Sequence, residues 1–155
     1  MKFKVFNVEF DGMDKAGKDS IMAQIFSAAP NKYISNARGL LSQVAYAKLY
    51  NRDWEYDFTD GYLDNTLFVY LTVDQADWKI RCDVTHEFEK NRFRSDMEGE
   101  LEYTSNRDAF EYAYEVVKSR LKNKDQIMKF NTTEMTPYNI IMAVVKRLEE
   151  LNEEK

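Results

Sequence analysis

The chain has 155 residues, a length that fits one domain with a sizeable core. Its formal net charge of −5 argues against proteins that coat nucleic acids or bind anionic membrane surfaces. The single cysteine, Cys82, excludes an intrachain disulfide and favours the reducing cytoplasm. No apolar stretch approaches the roughly 18 residues of a membrane-spanning helix, and no signal-peptide pattern follows the first residues.

Apolar periodicity predicts four elements in the first third of the chain. Residues 3–10 are rich in Phe and Val and predict a strand. Apolar residues at helical spacing predict a helix from Lys18 to about Ala29. A short second strand is predicted over residues 32–35, and a second helix over residues 40–49.

The loop after the first strand carries the most specific motif of the chain. Gly12, Gly17 and Lys18 have the G-x-x-x-x-G-K spacing of a P-loop, directly after an apolar run. In a P-loop, backbone N–H groups and the following helix N-terminus bind phosphate, and the lysine adds a positive charge. Asp19 stands where a Ser or Thr usually holds Mg²⁺, and a carboxylate is also a ligand for that ion. We therefore predict a phosphate site here, with Asp19 as the candidate metal ligand.

The middle of the chain has one strongly apolar run between two polar segments. Residues 51–65 combine aromatic side chains with five acidic ones and predict an irregular loop or cover. Residues 66–73 are nearly all apolar or β-branched, which suits a central parallel strand buried on both faces. Residues 75–101 are polar with mixed charge, and we interpret them as a lid-like segment.

A helix, a strand and a final helix are predicted in the last third. The helix spans residues 109–121 and the strand spans residues 126–130. Thr136 is the predicted N-cap of the final helix and Pro137 its first residue, and the apolar stripe continues to Leu151.

This alternation of strands and helices predicts an α/β fold. We expect a three-layer P-loop NTPase fold, in which a short, mainly parallel sheet of about four strands is flanked by helices. The P-loop strand belongs in the middle of such a sheet, because ligands bind at the carboxyl ends of central strands. No internal repeat, low-complexity tract or linker interrupts the chain, so residues 1–155 are predicted to form a single domain.

The P-loop segment resembles that of one known family. Residues 10–18, FDGMDKAGK, resemble the loop of thymidylate kinases and related deoxynucleotide kinases, including phage-encoded ones, which reads F-E-G-x-D-[RK]-A-G-K-[ST]-T. Residues 37–46, ARGLLSQVAY, resemble the D-R-[YFG]-x-x-S segment of that family. The later order of strand, lid, helix, strand and helix agrees as well. The loop is also similar to that of polyphosphate-dependent nucleotide kinases, in which an Asp commonly follows the lysine.

The resemblance implies roles for individual residues. The ATP phosphates would be bound by Gly12, Asp14, Ala16, Gly17, Lys18, Asp19 and Ser20. The acceptor nucleotide would be bound by Asp14, Arg38 and Tyr46. The catalytic cations would be Lys15, Lys18 and Arg38. The lid arginines would be Arg81, Arg92 and Arg94. The residues near the adenine would be Asn131, Thr132 and Thr133.

The resemblance thus implies ATP-dependent phosphoryl transfer to a deoxynucleoside monophosphate in the cytoplasm. The cofactors would be ATP and Mg²⁺, and the partner would be the nucleotide rather than a nucleic acid or a membrane. Kinases of this family are often dimers, so the resemblance also points to a homodimer.

Three departures from the family pattern support alternatives. Asp19 replaces the metal-binding hydroxyl, and Ala37 stands where the family has an Asp before Arg38. Only residues 28–35 fill the space of a helix–strand unit that helps the family to hold its acceptor. One alternative is a catalytically degenerate, kinase-like protein that binds a nucleotide or a protein partner without turnover. Another is a kinase with a different acceptor, in which aromatic residues of segment 50–62 rebuild the pocket.

Overall fold

The computed structural model describes residues 4–13, 16–17, 21, 33–37, 39–52, 60–88 and 96–153. The strands in this part of the chain are β1 (Asn7–Asp11), β2 (Ile34–Ala37), β3 (Thr66–Thr72) and β4 (Ile127–Asn131). The helices are α1 (Leu40–Leu49), α2 (Asp60–Asp64), α3 (Gln75–Phe88), α4 (Asp96–Arg120) and α5 (Pro137–Leu151). A 3₁₀ turn, Lys124–Gln126, leads into β4. None of the described helices is long and apolar enough to cross a membrane.

The four described strands form one sheet in the order β2-β1-β3-β4, and every neighbouring pair is parallel. The predicted α/β fold class is therefore confirmed, and the P-loop strand β1 lies inside the sheet. The register aligns Asp11 of β1 with Tyr70 of β3, and Tyr70 with Lys129 of β4. These three side chains consequently share one face of the sheet near its carboxyl edge.

β3 is buried on both faces, as its composition predicts. Six of its seven residues are buried, and only Thr72 is partly exposed. Because helices cover both faces of an all-parallel sheet, such a strand has no solvent side that would require alternating polar residues.

Helices α1 and α4 pack together on the face of the sheet that carries Tyr70. Leu41 and Val44 of α1 are fully buried, as are Ala113 and Val117 of α4. The ring of Phe110 on α4 lies 5.7 Å from the Tyr46 ring and 6.1 Å from the Tyr70 ring, between centroids. This aromatic cluster therefore joins α1, α4 and β3.

Helix α5 begins as predicted. The hydroxyl of Thr136 accepts a hydrogen bond of 3.3 Å from the Asn139 N–H, and Pro137 is the first helical residue. The apolar stripe of the helix is buried through Ile140, Ile141, Val144, Leu148 and Leu151.

Several boundaries differ from the prediction. β1 begins at Asn7 rather than at residue 3, and β2 covers Ile34–Ala37 rather than 32–35. As an edge strand, β2 has alternating exposed and partly exposed residues, so its register follows its pairing with β1 rather than its own composition. The predicted helix over 109–121 is the second half of α4, which begins at Asp96. The first half was not predicted because residues 96–108 are mostly polar and show no apolar periodicity.

The expectation of irregular structure throughout residues 51–65 was wrong for its last part, which forms α2. This short helix is tied to the sheet, because its Tyr62 carbonyl accepts a 2.6 Å hydrogen bond from the Thr66 hydroxyl. Residues 53–59 lie outside the described part of the chain. So does most of the helix predicted from Lys18 to Ala29, of which Ile21 is described and is helical.

Candidate active site at the carboxyl edge of the sheet

The P-loop leaves β1 in close contact with its neighbour β3. A Cβ atom at residue 12 would overlap the carbonyl oxygen of Leu71, so the backbones approach too closely for any residue but glycine. Gly17 has a φ of 95°, in the left-handed region that side chains disfavour. Between them, the Ala16 N–H donates a 3.1 Å hydrogen bond to the Met13 carbonyl. Both glycines of the motif are thus required by the backbone.

The loop residues Asp14, Lys15, Lys18, Asp19 and Ser20 lie outside the described part of the chain. Their predicted contacts with phosphate, acceptor and Mg²⁺ stay predictions.

One predicted lid arginine lies beside the end of the loop. The Arg81 guanidinium on α3 donates a 3.0 Å hydrogen bond to the Thr132 hydroxyl and binds the Asp77 carboxylate at 2.8 Å. A Cβ at Gly17 would lie 3.9 Å from both Arg81 Nη1 and Thr132 Cγ2. We call Gly17, Asp77, Arg81, Thr132 and Thr133 the Gly17 side. Here the structure brings together residues predicted for the phosphates, the lid and the adenine.

The Gly17 side is held by internal hydrogen bonds. The Thr133 hydroxyl donates to Asp77 at 3.1 Å and accepts from the Asp74 N–H at 2.9 Å. The Asn131 side-chain amide donates to the Asp74 carboxylate at 2.8 Å. The loop after β4 is thereby fixed to the start of α3. The other predicted lid residues, Arg92 and Arg94, lie outside the described part of the chain.

A crevice of about 290 Å³ opens at the other end of the loop. We call it the α4 crevice, and its lining residues are Met13, Tyr70, Thr72, Val73, Asp74, Tyr103, Arg107, Glu111 and Lys129. Met13 comes from the P-loop, so the crevice adjoins the predicted phosphate site. The remaining walls come from the carboxyl half of β3, from β4 and from α4.

The polar groups of the α4 crevice are connected to one another. Glu111 accepts a 3.2 Å hydrogen bond from the Tyr70 hydroxyl and pairs with the Lys129 ammonium at 2.7 Å. The Tyr103 hydroxyl donates to the Val73 carbonyl at 2.6 Å. Burial, with the nearby Glu111 carboxylate, raises the pKa of Tyr70 well above its usual range, so this hydroxyl stays a donor at neutral pH.

Two carboxylates of β1 cap helix α1, which has no side-chain cap of its own. Glu9 Oε1 accepts a 2.9 Å hydrogen bond from the Leu40 N–H, and its other oxygen accepts one from the Tyr62 hydroxyl. Asp11 Oδ1 accepts from the Ser42 N–H at 3.2 Å and from the Ser42 hydroxyl at 2.6 Å. These contacts satisfy N–H groups that a helix leaves unpaired in its first turn.

Asp11 is fully buried, and its Oδ2 has no hydrogen-bond partner among the described residues. Burial, opposed by the hydrogen bonds from Ser42 and assisted by the nearby Glu9 carboxylate, raises the pKa of this carboxyl from 3.8 to about 6. Burial also raises the pKa of Tyr62, with the bond to Glu9 in the same direction. The start of α1 is therefore held by a carboxyl group that titrates near neutral pH.

Of the predicted acceptor residues Asp14, Arg38 and Tyr46, only Tyr46 is described. Arg38 lies outside the described part of the chain, but its neighbours in sequence are placed, since Ala37 pairs with Phe10 of β1 and Leu40 is held by Glu9. Tyr46 stacks on Tyr50 with 6.2 Å between centroids and packs edge-on against Phe110. Tyr46 thus lies in the packing between α1 and α4, and the residues that line the α4 crevice do not include it.

Sequence reasoning missed two groups of residues. Glu9 and Asp11 alternate along β1, and this spacing of two places both carboxylates on one face. Tyr103, Arg107 and Glu111 recur every four residues, which is the spacing of one helix face. The first signal was readable in the sequence, and the second was hidden because the helix was predicted to begin too late.

Comparisons with known proteins do not assign the chain to a family, but they show its fold. No protein-family model matches the chain, and no curated protein matches it by sequence. By structure, the chain is similar to the YorR protein of Bacillus subtilis, which was solved in complex with phosphorylated GDP. The TM-score is 0.66 over 96% of this chain and 99% of YorR, at 14% sequence identity. The chain therefore shares the α/β fold of a protein that was solved with a phosphorylated nucleotide.

Proposed function

We propose that this protein is a kinase that transfers the γ-phosphoryl group of ATP to a deoxynucleoside monophosphate. The observation that carries the proposal is the loop between Gly12 and Gly17, which leaves a central strand at the carboxyl edge and needs glycine at both positions. A P-loop binds phosphate between such a strand and a helix, and the described residue that follows the loop, Ile21, is helical. The phosphorylated nucleotide in YorR supports the same class of ligand.

Phosphoryl transfer depends on positioning and on positive charge rather than on covalent chemistry by the protein. Lys18 would contact the terminal phosphates of ATP, and Lys15 and Arg38 would offset charge on the transferred group and the acceptor phosphate. Arg81 is held beside Gly17, where a guanidinium would meet the phosphate chain of ATP. The cations around the loop would thus stabilise the negative charge of the transferred phosphoryl group in place of water.

Mg²⁺ is usually held by one or two carboxylates together with substrate phosphates. Asp74 offers such a carboxylate where β3 ends, beside Met13 of the loop, and Asp19 would provide the second. Carboxylate oxygens at these two positions are suitable ligands for Mg²⁺. When bound with ATP, Mg²⁺ would neutralise charge on the phosphates.

The test is ADP release from Mg-ATP across a panel of nucleoside monophosphates and nucleosides. We expect turnover with one acceptor class, a loss of at least a hundredfold in Lys18→Ala, and normal rates in Lys146→Ala, which removes an exposed lysine of α5. Turnover that survives Lys18→Ala would contradict the proposal. ATP binding without turnover on any acceptor would contradict it too, and would favour the degenerate, nucleotide-binding protein.

A further inference from the structure

The α4 crevice has features that the proposed reaction does not yet explain. Its lining contains two cations, Arg107 and Lys129, and two carboxylates, Asp74 and Glu111, so it carries no net charge. A site for phosphate alone would be positively charged, because phosphate is bound by arginine, lysine and backbone N–H groups. The balanced charges suit a neutral ligand that has both hydrogen-bond donors and acceptors.

The volume and the wall of the crevice further limit which ligands could bind there. Its volume of about 290 Å³ is at the lower end for small-molecule sites. Tyr70 and Tyr103 line the crevice as almost fully buried side chains, packed on Phe110 and on Trp78, so they form a fixed wall rather than open ring faces. Both hydroxyls are already engaged, with Glu111 and with the Val73 carbonyl. A rigid wall with a few fixed hydrogen-bonding groups is typical of a small-molecule site, and the free hydrogen-bonding capacity here lies on the Glu111 carboxylate.

The crevice lies next to the Gly17 side, and Asp74 belongs to both, because it lines the crevice and is hydrogen-bonded to Asn131 and Thr133. Arg81 and Thr132 adjoin Gly17 at the end of the loop, whereas the crevice adjoins Met13 at its beginning. A ligand in the crevice would therefore approach the predicted phosphate site beside Met13, adjacent to a ligand on the Gly17 side. That is the arrangement which transfer between two nucleotides requires.

We propose that the α4 crevice binds the nucleoside part of the acceptor nucleotide, with Glu111 accepting hydrogen bonds from N–H or O–H groups of the base or sugar. This inference rests on the proposed function. Both oxygens of Glu111 already accept one hydrogen bond each, from Tyr70 and from Lys129, and each keeps a lone pair. The pair with Lys129 fixes the carboxylate, so the acceptor meets a preorganised group. In this assignment, residues of α4 and β4 contact the acceptor. They would replace the helix–strand unit that helps thymidylate kinases to hold the acceptor, and for which this chain has only residues 28–35.

The test compares Glu111→Gln with Glu115→Gln, which removes an exposed carboxylate one turn further along α4. We expect Glu111→Gln to raise the KM for the acceptor nucleotide by about ten- to a hundredfold while the KM for ATP changes less than twofold. Arg107→Ala should raise the acceptor KM in the same direction. Glu115→Gln should leave both constants unchanged, and circular dichroism should show that each variant is folded.

Equilibrium binding separates failure of this inference from failure of the proposed kinase activity. If the wild type shows no turnover but binds a nucleoside monophosphate in a Glu111-dependent manner, the crevice assignment stands and the kinase does not. If Lys18-dependent turnover occurs and Glu111→Gln matches Glu115→Gln in acceptor KM, the crevice assignment is overturned. A rise in the KM for ATP alone would also overturn it, because the crevice would then hold the ATP base.

Discussion

The two ends of the P-loop are built differently. On the Gly17 side, Arg81 is bound by Asp77 and Thr132, and Thr133 links the loop after β4 to the start of α3. In the α4 crevice, the charged side chains of Arg107, Glu111 and Lys129 keep 38–48% of their surface exposed. Arg81 and Asp77 are less exposed, at 29% and 31%, and belong to a larger hydrogen-bond network, which suits a ligand that is always the same. The fixed Glu111 of the more exposed crevice keeps free lone pairs, which can discriminate among ligands. This difference is what a common donor, ATP, and a specific acceptor would require.

The largest effect should come from a change that disrupts both ends at once. Gly12→Ala places a Cβ against the Leu71 backbone carbonyl, which cannot move without disturbing the junction of β1 and β3. We expect a loss of about 3 kcal/mol in the free energy of unfolding and loss of nucleotide binding, measured by urea denaturation and calorimetry.

Gly61→Ala is the matched control for this change. A Cβ at residue 61 meets no atom within 4 Å, and the residue lies in helix α2. Alanine there should be neutral or stabilising by up to about 1 kcal/mol. An equal loss of stability in both variants would contradict the close approach at Gly12.

The second change concerns the charge of Asp11, which faces Tyr70 in the crevice wall across the β1–β3 pairing. Its pKa rises from 3.8 to about 6 on folding, so between these pH values the folded state binds more protons than the unfolded state. The free energy of unfolding should therefore fall as the pH rises from 4 to 7, by up to about 3 kcal/mol from this residue.

Asp11→Asn should remove this slope, because it keeps an acceptor for Ser42 and has no titrating proton. The neighbouring side chains of Glu9 and Tyr62 are present in both proteins, so the difference between the two pH profiles isolates the contribution of Asp11. Asp125→Asn, at an exposed carboxylate, should leave the profile unchanged. Identical slopes in the wild type and Asp11→Asn would show that burial does not raise this pKa.

Arg81→Ala tests the Gly17 side alone. Removal of a guanidinium beside Gly17 should raise the KM for ATP about tenfold, which corresponds to about 1.4 kcal/mol, with little change in the acceptor KM. Arg147→Ala is the control, because Arg147 binds the Asp125 carbonyl away from the loop. If Arg81→Ala changed mainly the acceptor KM, the assignment of the two ends would have to be exchanged.

The smallest effect should come from a helix cap far from both ends. Thr136→Ala removes the hydroxyl that accepts the Asn139 N–H and should cost about 1 kcal/mol of stability. Both KM values should stay unchanged, and Thr136→Ser should restore stability. This variant shows whether a modest loss of stability by itself alters the kinetics attributed to Arg81 and Glu111.

Much of the fold was readable because local patterns agree with the final structure. The apolar run of β3, the cap at Thr136 and the helical stripe of residues 40–49 each have one dominant period or signal. Predictions failed where the decisive contact is distant in sequence. α2 depends on contacts of Tyr62 with β1 and β3, and β2 takes its register from Asn7 and its neighbours.

The sequence by itself determined the glycine spacing of the loop, the four strands, the helices over residues 40–49, 109–121 and 137–151, and the central place of β1, because glycine spacing and apolar periodicity are local properties of the chain. Only the tertiary structure decided that Glu9 and Asp11 cap α1 and that Arg81 meets Gly17. It also decided that Glu111 and Lys129, 18 residues apart, form a pair in one crevice. Such contacts join residues from separate elements, and the strand register and helix packing that bring them together depend on the whole sheet.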